Sequence, residues 1–188
     1  MSSNTQLKNK NYATFWQRLM ANFSDELIIS IPRLMGIYYL FQAKDLSDFF
    51  YRAIVAFFLI FIPSLLFEIF YHTWFLSNSG ATPGKQIWGL KIVDESGEYL
   101  SAWMAFFREM VAKKVSFGFF CLGFLWMIKE KDRLTWHDMF AGSYAIKTNH
   151  SWNSLLVTIV LIAAIILIIL ATISQLPEFI DLLFSALK

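Results

Sequence analysis

The sequence contains few residues that could support metal, disulfide or thiol chemistry. It has one cysteine, Cys121, and three histidines in 188 residues. A single cysteine excludes an internal disulfide, and Cys121 has no His or Cys partner at metal-binding spacing. The Gly-x-Ser-x-Gly and His-Glu-x-x-His motifs of hydrolases are missing as well. The sequence therefore predicts no metal site, no cofactor and no enzymatic activity.

Charged residues are also scarce. They make up 16% of the chain, against roughly 25% in a typical soluble domain. The net charge of +2 is too small to indicate a nucleic-acid-binding protein. In contrast, 57% of the residues are hydrophobic and 18% are aromatic, with a mean hydropathy of +0.51. This is more apolar side chain than one soluble core of this size can bury, which predicts an all-α integral membrane protein.

Three segments are long enough to cross a bilayer. The clearest is Leu155–Ile173, whose nineteen uncharged residues nearly match a ~30 Å hydrocarbon core. The second is Arg52–Leu76, which is apolar up to Glu68 and ends in aromatic residues that suit the headgroup level. The third, Ala13–Phe41, is hydrophobic but is interrupted by charged side chains. We therefore predict three transmembrane helices.

A fourth apolar segment, Val115–Ile128, has only fourteen uncharged residues and is compatible with a re-entrant, an interfacial or a fully spanning helix. Nine basic residues lie between Leu76 and Ser151, on both sides of this segment. By the positive-inside rule, the N-terminus and this long middle segment are cytoplasmic and the C-terminus is outside. Because both flanks are basic, the rule favours a re-entrant or interfacial hairpin in a protein of the cell (inner) membrane.

Smaller elements complete the prediction. Residues Ile87–Val93 and Ser143–Lys147 alternate as short strands, which predicts a small cytoplasmic two-stranded element. An apolar stripe beginning at Pro177 predicts a C-terminal amphipathic helix on the membrane surface. We divide the chain into a polar N-terminal arm (1–12), a membrane domain (13–147), and an additional transmembrane helix with its tail (148–188).

The first predicted helix carries two charged stripes on one face. Arg18 and Asp25 are two turns apart, and Glu26 and Arg33 repeat the spacing one position round the helix. A charge near the middle of a bilayer costs about 2.5–3.5 kcal/mol unless it has a partner or water. One interpretation is that Asp25, with Glu26 or Glu68, binds a cation or proton beside Arg18. The alternative is that the membrane begins near residue 27, so that Asp25 is an acid at a helix N-terminus and Arg18 an interfacial anchor.

A second charged motif follows the hairpin. Thr135 and Asp138 have the spacing of a capping box, and Gly142 would end the short helix. Capping is a sufficient structural explanation for these residues. The functional alternative is that Asp138 pairs with Arg18 and joins distant parts of the chain.

Taken together, these residues resemble the RDD family of small membrane proteins, which is named for one Arg and two Asp. The resemblance rests on Arg18, Asp25, Arg108 and two motifs, and carried over to this chain it assigns the three named positions to Arg18, Asp25 and Asp138. It implies transport of an unknown ligand, and cation/proton antiport for some members. The motifs are Pro83-Gly84-Lys85 with Gly89-Leu90-Lys91-Ile92-Val93-Asp94, and Leu134-Thr135-Trp136-His137-Asp138-Met139-Phe140-Ala141-Gly142.

Two functional hypotheses follow. In the first, the protein transports a monovalent cation or a proton as an oligomer, with Asp25, Glu26 and Glu68 as the binding acids and Arg18, Arg33 and Asp138 as an electrostatic network. In the second, it is a non-catalytic assembly or interaction subunit in which Arg18, Asp25 and Asp138 form a structural charge network. Both hypotheses predict the lipid bilayer as surroundings and either a homo-oligomer or a partner membrane protein.

Overall fold

The computed structural model describes residues 11–118, 122–148 and 154–186. Within these ranges the chain is mostly helical, with one two-stranded sheet. Most of the predicted N-terminal arm and Cys121 lie outside the described residues. The elements in chain order are α1 (Phe15–Phe41), α2 (Leu46–Ser79), α3 (Pro83–Ile87), β1 (Leu90–Asp94), α4 (Ala102–Gly118), α5 (Leu122–Ile128), α6 (Trp136–Phe140), β2 (Ser143–Lys147), α7 (Ser154–Ser174) and α8 (Leu176–Ala186).

Two helices in the described part of the chain are long and apolar enough to cross a membrane. They are α2 and the stretch Leu156–Ser185, which contains most of α7 and α8. Helices α4 and α5 would make a third span if they form one broken helix, and they meet at an angle of 100°. A bend of this kind fits either a broken transmembrane span or a re-entrant segment. The predicted first span is present as helix α1, but it is not among these apolar helices.

Helices α2 and α4 each contain a widened, π-helical turn. In α2 it covers Phe57–Phe61, and in α4 it covers Phe107–Ala112. Single π-helical turns inside α-helices occur frequently at functional sites. The turn in α4 contains Arg108 and Glu109, which are both buried.

The two strands are antiparallel, with Leu90 opposite Lys147 and Asp94 opposite Ser143. The bounds predicted for the second strand are confirmed. The predicted start of the first strand at Ile87 is wrong, because Pro83–Ile87 forms helix α3. Proline is favoured at the first position of a helix, since its missing N–H would have no helical partner there.

The chain divides into two compact units. The charged unit comprises Met1–Asp25 and Ile69–Ser154, and the apolar unit comprises Glu26–Glu68 and Leu155–Lys188. This division rests on contacts within the fold, and the domain boundary after residue 147 stays a prediction. The core of the charged unit is made by small and aliphatic side chains from α1, α2, α4, the sheet and the segments that precede α1 and α4: Ala13, Ala21, Leu76, Leu90, Ile92, Leu100, Ala105 and Ala145.

The apolar unit packs through aromatic rings and one close helix contact. Phe179 of α8 lies 4.9 Å from Phe41 and 5.5 Å from Phe49 between ring centroids. A side chain at Gly36 would approach Ile60 to 3.0 Å, so glycine permits α1 and α2 to lie close together. The predicted C-terminal helix is therefore present, and one residue of its apolar stripe packs against protein.

Candidate functional site

Asp25 is a carboxylate of the charged unit that is held by four hydrogen bonds. Its side chain is fully buried. It accepts hydrogen bonds from the Tyr71 hydroxyl (2.7 Å), the Thr82 hydroxyl (2.6 Å) and the Gly84 backbone N–H (2.8 Å). Lys85 Nζ donates a fourth at 3.2 Å. Helix α3 supplies two of these donors, so the short segment after α2 is what surrounds Asp25.

The Lys85 ammonium group lies among three oxygen atoms. Its Nζ is 3.2 Å from Asp25 Oδ2, 3.2 Å from Thr82 Oγ1 and 3.4 Å from Glu109 Oε1. The side chain is 5% exposed, so protein oxygens replace most of the water that an ammonium group normally binds. The arrangement is a set of three protein oxygens around a buried ammonium group.

Glu109 connects this site to the rest of the unit. It pairs with Lys85, with the neighbouring Arg108, and with Lys113 one turn further along α4, whose Nζ lies 3.1 Å away. His72 Nδ1 is 3.7 Å from its second oxygen. The carboxylate thus bridges cations from two different helices.

Asp138 lies between two guanidinium groups. Arg18 Nη1 pairs with its Oδ2, and Arg108 Nη2 donates to its Oδ1 at 2.6 Å. Thr135 also donates to it, because the predicted capping box of α6 is present. Burial by itself raises the pKa of Asp138, but the charges of Arg18 and Arg108 outweigh burial and lower that pKa below its usual range. Asp138 is therefore ionised at every physiological pH.

These contacts form one continuous network, which we call the buried ion cluster. It runs from Arg18 through Asp138, Arg108, Glu109 and Lys85 to Asp25, with Lys113 as a branch. Its side chains are between 0 and 11% exposed. Four of its members are cationic and three are anionic, so the cluster carries one excess positive charge.

Three predicted site residues lie outside the buried ion cluster. Glu26 is exposed. Arg33 pairs with Glu68 within the apolar unit, where the two side chains are 35% and 15% exposed. Arg33 thus balances an acid on α2 and makes no ion pair with Asp138 among the described contacts.

Lys85 and Glu109 were not among the predicted site residues. The signal was present, because Arg108, Glu109 and Lys113 interrupt an otherwise apolar helix and each needs a counter-charge there. No periodicity, however, places the segment from Thr82 to Lys85 beside Asp25. Only the path of the chain after α2 does so.

His137 is buried beside Asp138. Its Nδ1 lies 3.2 Å from Ser116 Oγ, and its ring is stacked on Phe124 with 6.4 Å between centroids. Burial lowers the pKa of His137 from 6.5 to about 3, against the opposing effect of the Asp138 carboxylate. The imidazole is therefore neutral at physiological pH.

This pKa predicts an acid sensitivity that His137→Gln should reduce. Between pH 6.5 and 3 the unfolded chain binds a proton at His137 and the folded chain does not, so stability falls as the pH falls. The free energies of unfolding of wild type and variant are compared by thermal unfolding in detergent at several pH values. As the pH is lowered from 6.5 towards 3, the wild type should lose about 1.4 kcal/mol per pH unit relative to the variant. Parallel stability curves would contradict the neutral, buried histidine.

Comparisons with known proteins identify the family of this chain. The model of the RDD family matches residues 12–142. The chain belongs to the RDD family. It is also 33% identical over 136 residues to the uncharacterized protein YckC of Bacillus subtilis (strain 168), an alignment that covers 70% of this chain and 82% of YckC. No solved structure matches.

The RDD family consists of membrane proteins, which accords with the apolar helices α2 and α7. The three residues that the resemblance assigned to the family name, Arg18, Asp25 and Asp138, all belong to the buried ion cluster. Arg18 and Asp138 are in direct contact, and Asp25 is joined to them through Lys85, Glu109 and Arg108. The matched region thus contains every member of the cluster.

Proposed function

We propose that this RDD protein exchanges a monovalent cation for a proton at Asp25, Lys85 and Glu109. The observation that carries the proposal is the set of three oxygens within 3.2–3.4 Å of Lys85 Nζ. Carboxylate and hydroxyl oxygens are the ligands that hard cations prefer. Buried ionisable residues in membrane proteins commonly mark ion pathways.

The exchange conserves charge. Lys85 releases one proton and becomes a neutral amine, and one cation enters between the oxygens of Asp25, Thr82 and Glu109. Because one unit charge replaces another, the buried ion cluster keeps its net charge. A monovalent ion is favoured on this ground, since a divalent ion would leave a second uncompensated charge in a buried site. No covalent step and no cofactor takes part.

The other charged residues have supporting roles in this proposal. Arg18, Arg108 and Asp138 position Glu109 from the far side of the cluster. Glu26 and Glu68 are auxiliary acids, with Arg33 as the counter-ion of Glu68. The protein works as an oligomer in the cell membrane, with three crossings, a cytoplasmic N-terminus and an outer C-terminus.

The test is a transport measurement in liposomes that contain the purified protein and an internal pH dye. A gradient of K⁺ or Na⁺ should change the internal pH. K⁺ should replace the Lys85 ammonium group more readily than Na⁺ does, because the radius of K⁺ is close to that of an ammonium group. Lys85→Arg should abolish the response, because guanidinium keeps its charge but does not release a proton. Thr82→Val should raise the half-saturating cation concentration about tenfold by removing one oxygen ligand.

Matched variants make the result specific. Lys114 is exposed on the same helix as Glu109, so Lys114→Arg should leave exchange unchanged. Thr82→Ser keeps the hydroxyl and should retain the wild-type cation dependence. Each variant is first checked by size-exclusion chromatography and thermal unfolding. A flat trace for the wild type, or full exchange by Lys85→Arg, would overturn the proposal.

A second candidate function rests on a different observation. Asp25 accepts four hydrogen bonds, which leaves its carboxylate saturated. In this case the buried ion cluster is purely structural, and the protein is an assembly or interaction subunit of a membrane complex. This alternative predicts that Asp25→Asn and Lys85→Arg destabilise the protein and that the wild type gives no change of internal pH in the liposome assay.

A further inference from the structure

A small pocket lies beside the buried ion cluster in the charged unit. Its volume is about 10 Å³, which is room for one water molecule or one small ion. Three cationic side chains, Arg18, Lys85 and Arg108, line it together with Asn22 and His137, and the remaining lining is apolar. None of the described residues that line it is acidic.

Arg18 has donors that the described residues leave unused. Its Nη1 pairs with Asp138, but Nε and Nη2 are buried without a hydrogen-bond partner in the described part of the chain. These two nitrogens form one edge of the guanidinium plane, the edge that binds an anion with two parallel N–H groups. The side chain is only 4% exposed, so bulk water does not satisfy this edge.

From this geometry we infer that the pocket binds a single halide ion, chloride in the cell, against the free edge of Arg18. The charge of the cluster supports an anion, because four cationic side chains face three carboxylates and His137 is neutral. The size of the pocket supports a monatomic ion, because a phosphate or carboxylate group needs several times this volume. One halide would neutralise the excess charge of the buried ion cluster.

The site is independent of cation exchange, because it requires neither a gradient nor a proton released by Lys85. It can therefore be tested at equilibrium. Purified protein in detergent is heated in about 100 mM NaCl, NaBr or sodium gluconate at matched ionic strength. Because a ligand that binds only the folded state stabilises it by mass action, the midpoint should be about 3 °C higher in either halide.

Variants separate the pocket from general salt effects. Arg18→Lys keeps the charge but removes the two parallel donors, and should lose the halide-dependent shift. Asn22→Leu fills the pocket without touching an ion pair, and should lose the shift even if Arg18→Lys fails to fold. Lys114→Gln removes an exposed cation of the same unit and should keep the shift.

Two results would overturn the inference. Equal midpoints of the wild type in halide and gluconate would mean that the pocket holds only water. A full halide shift in Asn22→Leu would mean that the ion binds elsewhere. The wild type should broaden the ³⁵Cl NMR signal, and Asn22→Leu should not. This measurement detects chloride binding directly and does not depend on thermal unfolding.

Discussion

Asp138→Asn is expected to lower the free energy of unfolding by about 3–5 kcal/mol, because it leaves the Arg18 and Arg108 guanidiniums buried without their shared counter-charge. Asn keeps the shape of the side chain, so the loss reports charge and not a cavity. For a chain of this length the midpoint of thermal unfolding in detergent should fall by about 10 °C. This is one of the two largest effects that we expect of a single substitution.

The matched control is Asp132→Asn, which removes the same charge at an exposed position six residues earlier. Surface substitutions of this kind change stability by about 0.5 kcal/mol or less. If Asp138→Asn unfolds at the same temperature as Asp132→Asn, the guanidiniums are not held by Asp138 and the buried ion cluster is not continuous.

A double-mutant cycle measures the pairing itself. Asp138→Ala leaves the buried Arg18 without its ion-pair partner, and Arg18→Ala leaves Asp138 with Arg108 alone, whereas the double variant removes both members of the pair. The two changes together should therefore cost less than the sum of the separate changes, by about 0.5–3 kcal/mol. Additive losses would show that Arg18 and Asp138 do not interact.

Gly84→Ala is expected to destabilise the protein by about 3 kcal/mol or more. An added Cβ would lie 2.5 Å from Asp25 Oδ1 and 2.7 Å from the Ala21 backbone oxygen. The backbone oxygen belongs to helix α1 and has no freedom to move away, so Asp25 or helix α3 must shift. Either shift breaks the hydrogen bonds that hold the Asp25 carboxylate, which thermal unfolding and the cation-exchange assay would both detect.

Gly118→Ala is the natural comparison. It makes the same chemical change in α4, but no described atom lies within 4 Å of the added Cβ. Because alanine is the better helix former by up to about 1 kcal/mol, this variant should be as stable as the wild type or slightly more stable. Equal stability of Gly84→Ala and Gly118→Ala would refute the close approach of α3 to Asp25.

The membrane character and several local elements could be predicted from the sequence. Helix α7, the β2 strand and the capping box of α6 are local features, encoded by an uncharged run, an alternation of apolar residues and the spacing of Thr135 and Asp138. The placement of Arg18 and Asp25 on one face of α1 could also be predicted, because it follows from helical periodicity alone. The start of β1 could not be predicted, since helix α3, which begins at Pro83, extends to Ile87 at the start of the predicted strand.

The candidate site shows where such local information ends. Charged side chains in an apolar segment need counter-charges, and Arg18 and Asp25 were identified on that ground, whereas Asp138 was identified from its capping-box spacing and the family resemblance. Their partners come from residues tens of positions away, so no local pattern identifies them. Lys85 reaches Asp25 across 60 positions, and Arg108 reaches Asp138 across 30.

The sequence by itself determined that this is a helical membrane protein with charges that require partners. The tertiary structure decided which charges meet, placing Glu26 outside the buried ion cluster, Glu68 with Arg33, and Lys85 among the oxygens of Asp25, Thr82 and Glu109. The physical reason is that burial makes an unpaired charge costly without specifying its partner. The partner is chosen by the path of the backbone, here by the segment after α2 that brings Gly84 and Lys85 against helix α1.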